Sequence, residues 1–157
     1  MNVVVMNEVF NPENEEAQVA LGRLLSESCS ERALIFLHGD LGAGKTTLVR
    51  GFLQARGHKG AVKSPTYTLI EPYETSAGPV YHLDLYRLGD GEELEYLGLR
   101  DILAEQNAVL LIEWPQRGEG WLPEPDLNVE LAYAANGRTV SFQAITELGR
   151  SVLQAMH

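Results

Sequence analysis

The string Gly39-Asp40-Leu41-Gly42-Ala43-Gly44-Lys45-Thr46 has the spacing of a phosphate-binding loop. Its glycines let the backbone turn tightly, so successive N–H groups point inward at a polyphosphate. Lys45 can reach the β- and γ-phosphates, and the Thr46 hydroxyl can ligate Mg²⁺. Thr47 completes the stretch expected to touch a nucleotide. A metal at such a loop also wants an acidic ligand at the end of a hydrophobic strand. Asp84 ends Val80-Tyr81-His82-Leu83-Asp84, and Glu113 ends Val109-Leu110-Leu111-Ile112-Glu113. Parallel strands would deliver both to the ligand side of a sheet, although either acid could equally cap a turn. Two carboxylates beside a triphosphate repel it unless a metal lies between, which favours Mg²⁺-mediated roles for both. One can orient the metal through water while the other places the attacking water or joins the metal shell, and residue type does not say which is which.

Four further residues surround this set. In Ser64-Pro65-Thr66 the proline fixes the backbone and leaves two hydroxyls exposed, and Thr66 is placed to complete a Mg²⁺ shell as a switch residue. A strand-entry turn is the plainer reading of the same three residues. Trp114, directly after Glu113, can shield the site or stack on a base, or serve as a core or lid residue. Arg87 can neutralise phosphate or hold a carboxylate. His82 shares a strand face with Asp84 and reads first as a hydrogen-bonded structural histidine.

The elements that must carry these residues are legible in outline. Ala33-Leu34-Ile35-Phe36-Leu37 predicts a buried strand entering the loop, and Thr47 to Leu53 the helix leaving it, ending near Gly57. Val3 to Phe10 predicts a strand, and Asn11 a helix cap with Pro12 in the first turn. Tyr67–Tyr73 and Pro79–Leu85 predict a hairpin, and Glu92–Leu103 one or two helices broken at Gly98. A second hairpin is expected around Asn136-Gly137 and a last helix over Thr146–Met156. The expectation is one α/β domain over residues 1–157, P-loop NTPase-like, with a mixed central sheet flanked by helices.

Composition narrows the classes. A net charge of −10 argues against a protein that grips RNA or DNA through its own broad surface. Arg56, His58, Lys59 and Lys63 form a modest basic cluster, read as a solvated loop. No apolar run approaches membrane-spanning length, and Met1–Asn7 lacks the marks of a signal peptide, so a cytoplasmic location is expected. Cys29 is the single cysteine, with no base suggested beside it, and reads as a bystander.

Taken together, the loop, Ser64-Pro65-Thr66, His82-Leu83-Asp84-Leu85-Tyr86-Arg87, Ile112-Glu113-Trp114-Pro115 and the late Gly137-Arg138 resemble the TsaE family, in order and spacing. The resemblance implies an ATPase component of bacterial tRNA threonylcarbamoyladenosine biosynthesis, with ATP or ADP and Mg²⁺ as ligands and slow hydrolysis. Lys45 would take the phosphate role and Thr46 a metal role. Asp84 and Glu113 would be acidic metal-site residues, Thr66 the switch residue and Trp114 a functional tryptophan. It also implies TsaB and TsaD as partners, with tRNA reached only through that complex.

Two other readings stay open on the residues alone. A small-molecule P-loop kinase needs a lid of arginines, whereas Arg100 and Arg117 are scattered. A nucleotide-dependent binding module would need no essential hydrolysis. A GTPase is disfavoured, because no Asn-Lys-x-Asp string occurs.

Overall fold

A computed structural model describes residues 6–29, 32–65 and 67–157. In chain order its elements are β1 (Met6–Phe10), α1 (Glu15–Ser28), β2 (Ala33–His38), α2 (Lys45–Ala55), β3 (Ile70–Thr75) and β4 (Gly78–Asp84). There follow α3 (Glu92–Tyr96), α4 (Leu99–Leu103), β5 (Val109–Glu113), a 3₁₀ turn at Pro115–Gly118, β6 (Leu127–Ala134), β7 (Gly137–Ala144) and α5 (Glu147–Ala155). The strands form one mixed sheet in the order β1-β7-β6-β2-β5-β4-β3. Its centre, β6-β2-β5-β4, is parallel, and the outer pairs are antiparallel.

The near-continuous apolar runs of β2 and β5 follow from burial on both faces. Ala33, Ile35 and Leu37 of β2, Val109 and Leu111 of β5, and Val80 of β4 point to one core, shared with α1, α2 and α5. Leu34, Leu110, Ile112 and Leu83 point the other way, under α3 and α4. Period two along β4 and β5 therefore turns His82, Asp84 and Glu113 toward the α2 side of the sheet.

Helix α2 is seated on α1 by two reciprocal close approaches. A Cβ on Gly22 would lie 2.2 Å from the Leu48 carbonyl oxygen, and one on Gly51 would lie 2.1 Å from that of Val19. Backbone meets backbone at both points, which sets the height of α2, and hence of the loop at its start, over the sheet.

Several local expectations shift. Helix α1 is capped by Asn14, whose Oδ1 accepts from Ala17 N at 2.8 Å, and not by Asn11. Pro12 stays outside the helix because its carbonyl accepts from Arg138 N at 3.0 Å. Tyr67 lies in a turn before β3, and Leu69 takes a left-handed φ of 68°. The last hairpin turns on Ala135 and Asn136, with Gly137 already paired to Ala134. Of the strand expected over Val3 to Phe10, Met6–Phe10 is β1, and Val3–Val5 lie outside the described residues. Both the break at Gly98 and the final helix, capped by Thr146, are present.

Arg56 does not belong to a solvated basic cluster. It is buried, with Nε donating to Ser26 Oγ at 3.0 Å and Nη2 to the Cys29 carbonyl at 3.3 Å. Burial pushes the Cys29 thiol up to about 12, with Arg56 pulling the other way. The thiolate is the reactive form, so Cys29 is expected to resist iodoacetamide at neutral pH in the native chain and to react on denaturation. Native-state labelling followed by mass spectrometry checks this, and rapid native alkylation would contradict it.

Candidate phosphate-loop site

Parallel register brings the acidic strand ends together. Leu37 pairs with Glu113, and Glu113 with Asp84, so both carboxylates stand side by side where β2 runs into the loop. They line one cavity of about 430 Å³ with Gly42, Gly44, Lys45, Thr46, Thr47, Leu41, Ser64, Tyr86, Arg87 and Trp114. Of the residues expected to touch nucleotide, Gly39, Asp40 and Ala43 do not line it. Gly39 instead accepts from Lys45 Nζ at 2.6 Å, Asp40 is exposed, and the Ala43 side chain is in the core. Thr66 lies outside the described residues.

Lys45 is 5% exposed. Its ammonium stands 3.9 Å from Glu113 Oε1 and 4.2 Å from the centroid of the Trp114 ring. Burial draws it below the usual lysine range, opposed by the nearby carboxylates of Glu113, Asp84 and Asp40. Asp84 is held from two sides: Ser64 Oγ donates to Oδ2 at 3.0 Å and Tyr86 N to Oδ1 at 3.0 Å. Glu113 accepts at Oε2 from His82 Nε2, 2.5 Å away. His82 thus proves to be the hydrogen-bonded histidine expected, with an acid of the site as its partner.

Trp114 has φ 55°, ψ 48°. A left-handed conformation at a bulky residue costs about 1–3 kcal/mol and persists only where surroundings hold it. Here the following Pro115 disfavours the ordinary helical region, and the ring is packed between Lys45 and Tyr86, whose ring centroid is 5.0 Å away. Arg87 stacks on Tyr67, with its guanidinium 4.7 Å from the ring centroid.

The loop carries three glycines at positive φ, namely Gly39, Gly42 and Gly44. Its outward carbonyls are tied down by residues far away in sequence. Gln18 Nε2 on α1 donates to Gly44 O at 2.8 Å. Arg138 Nε donates to Ala43 O at 3.1 Å and Nη2 to Gly42 O at 3.3 Å, while Tyr133 Oη donates to Leu41 O at 3.1 Å. With these carbonyls satisfied from outside and Ala43 N donating to Asp40 O at 3.1 Å, the loop is held in a tight glycine-rich turn at the start of α2, the kind of backbone that binds anions. Gln18 and Tyr133 carry no motif signal, and Arg138 marked the resemblance without a role. A second cavity of about 290 Å³ lies beyond this brace, between Pro12–Glu15 and Arg138, and shares Gly42, Gly44 and Thr47 with the first.

Arg138→Ala is expected to weaken nucleotide affinity by about tenfold through loss of loop preorganisation. Titration with a fluorescent ADP analogue reads this, and an unchanged affinity would remove the brace from the account.

The donors gathered here suit Mg²⁺: a threonine hydroxyl and two carboxylates, all hard oxygens, line one cavity. The sheet, the loop and the helix that follows it define a P-loop NTPase-like α/β protein. Within that class the chain belongs to the TsaE family, whose model, described as threonylcarbamoyl adenosine biosynthesis protein TsaE, matches residues 12–140. It is 48% identical over 132 residues to the tRNA threonylcarbamoyladenosine biosynthesis protein TsaE of Haemophilus influenzae, covering 84% of this chain and 83% of that one. The Bacillus subtilis protein of the same name is 37% identical over 133 residues, covering 84% and 82%. The crystal structure of Bacillus subtilis YdiB superposes with a TM-score of 0.83 at 28% identity, over 99% of this chain and 97% of that one.

Proposed function

We propose that this chain is a Mg²⁺-dependent ATP-binding protein and slow ATPase, working in the cytoplasm with TsaB and TsaD. On this reading it supports transfer of the threonylcarbamoyl group to A37 of tRNAs that read codons beginning with A, while TsaD makes the bond. The observation that carries it is the convergence of Lys45, Thr46, Asp84 and Glu113 on one cavity beneath the phosphate loop. Membership of a family named for threonylcarbamoyladenosine biosynthesis supplies the pathway.

Thr46 and Asp84 would hold Mg²⁺, with Glu113 beside its shell, and the bound metal would supply positive charge to the phosphoryl oxygens. The loop amides would hold the phosphate chain, and Lys45 would exchange the Gly39 carbonyl for a terminal phosphate oxygen. Asp84, tied to Ser64 on the loop that carries Thr66, suits the metal-side role and couples it to the proposed switch. Glu113, nearest Lys45, suits orientation of the attacking water. Trp114 would exclude bulk water over Lys45. The second cavity, sharing three loop residues, offers room for the nucleoside.

A phosphate-transferring kinase fits less well. Arg100 pairs with Glu95 at 3.4 Å, and Arg117 packs 5.7 Å from the centroid of Tyr86, so neither lines the cavity. With a net charge of −10, the chain is suited to reach tRNA through its partners. Among the described residues no helix is long and apolar enough to cross a membrane. The test is ATP hydrolysis by the purified chain with and without TsaB and TsaD, alongside co-purification in ATP, ADP and nucleotide-free buffers. Hydrolysis, and association in at least one nucleotide state, are expected. Absence of both would overturn the reading.

A further inference from the structure

We propose that His82 is a positioning residue for hydrolysis, holding one oxygen of Glu113 so that the other faces Lys45 and the cavity. The proposal rests on the ATPase reading above. His82 is 0% exposed and sits on β4 opposite Leu111, two residues before the Asp84–Glu113 pair and on the same face of the sheet. Its Nε2 is 2.5 Å from Glu113 Oε2, while Glu113 Oε1 is 3.9 Å from Lys45 Nζ. A carboxylate only accepts hydrogen bonds, so Nε2 carries the proton.

The other ring nitrogen is the informative atom. His82 Nδ1 is buried and has no hydrogen-bond partner among the described residues. Burying an unsatisfied polar atom costs free energy, and an aliphatic side chain would fill this space without that cost. What the imidazole supplies beyond volume is the Nε2–H aimed at Glu113. Glutamate has three rotatable torsions, and the hydrogen bond removes freedom from the carboxylate. Without it, the free oxygen of Glu113 no longer keeps one direction toward the cavity, and its hold on the attacking water is lost while Lys45 stays available to phosphate.

His82 does not line the phosphate-loop cavity, so nucleotide binding and turnover should separate. His82→Leu and His82→Asn, the latter too short to place an N–H where Nε2 lies, should lower kcat by about 10–100-fold. Affinity for a fluorescent ADP analogue should stay within about twofold. His82→Gln, which can bring an amide N–H to the Nε2 position, should restore kcat to within about threefold of the parent. Equal rates for the Gln and Asn variants, or parallel loss of affinity and kcat, would overturn the proposal. If the Leu variant does not fold, the Gln–Asn comparison decides alone. ¹⁵N NMR of the nucleotide-free chain gives a readout apart from activity: His82 should be the Nε2-protonated tautomer, and an Nδ1-protonated ring would overturn the contact. A parent chain that hydrolyses no ATP refutes the ATPase reading itself, an outcome seen in the parent rate before any variant is measured.

Discussion

Lys45→Ala is expected to lower ATP turnover by at least about 10²–10³-fold, the loss typical when a preorganised donor to developing charge is removed. The lysine is 5% exposed, and its ammonium is already confined among Gly39 O, Glu113 and Trp114. On the proposed reading it would reach a terminal phosphate with little loss of side-chain freedom. Alanine also leaves Glu113 and Asp84 facing the phosphates without a fixed cation, so nucleotide affinity should fall as well. Glu113 keeps its hydrogen bond to His82 in this variant, and the fold should survive, as a thermal melt would verify. Parent-like turnover by a folded Lys45→Ala chain would refute the site.

The second large effect concerns the acids. Glu113→Gln preserves volume, and its amide oxygen can still accept from His82, so the change is chiefly one of charge. Turnover should fall by about 10²–10⁴-fold, the range for loss of a group that handles a proton or aligns the nucleophile. Nucleotide affinity should hold or tighten, since one negative charge beside the phosphates is gone. Asp84→Asn should also slow hydrolysis, but with a raised Mg²⁺ requirement, because the role proposed for it is on the metal side. Steady-state rates across a Mg²⁺ titration separate the two. If both variants respond alike to Mg²⁺, the division of roles fails, and if both turn over like the parent, the acids are not part of the reaction.

Much of this was written in local pattern. Gly39–Thr46 needs only its own glycines to turn and its own lysine to point, and the apolar runs of β2 and β5 announce strands buried on both faces. Asp84 and Glu113 could be singled out because a strand end is a local property. Helix starts were less legible. Asn11 and Asn14 both suit a cap, and the choice was made by the hydrogen bond from Arg138 N to Pro12 O, a contact across most of the chain. Arg56 left the basic cluster for the same reason, since it is claimed by Ser26 of α1 and the Cys29 carbonyl just past its end, while Lys59 and Lys63 stay exposed.

What the amino-acid sequence determined by itself is the inventory of groups able to do chemistry, the strand and helix periods that carry them, and the family to which their order points. Only the tertiary structure decided which of these groups touch. Register between β4 and β5 put His82 under Glu113. The reciprocal approaches of Gly22 and Gly51 set α2 over the sheet. The fold of the β6–β7 hairpin against the loop brought Tyr133 and Arg138 to its carbonyls. The physical reason is one of range. Backbone propensity and side-chain alternation act over a few residues and can be read along the chain. Hydrogen-bond satisfaction of the loop carbonyls is settled by whichever donors packing delivers, and those lay on elements far from it in sequence.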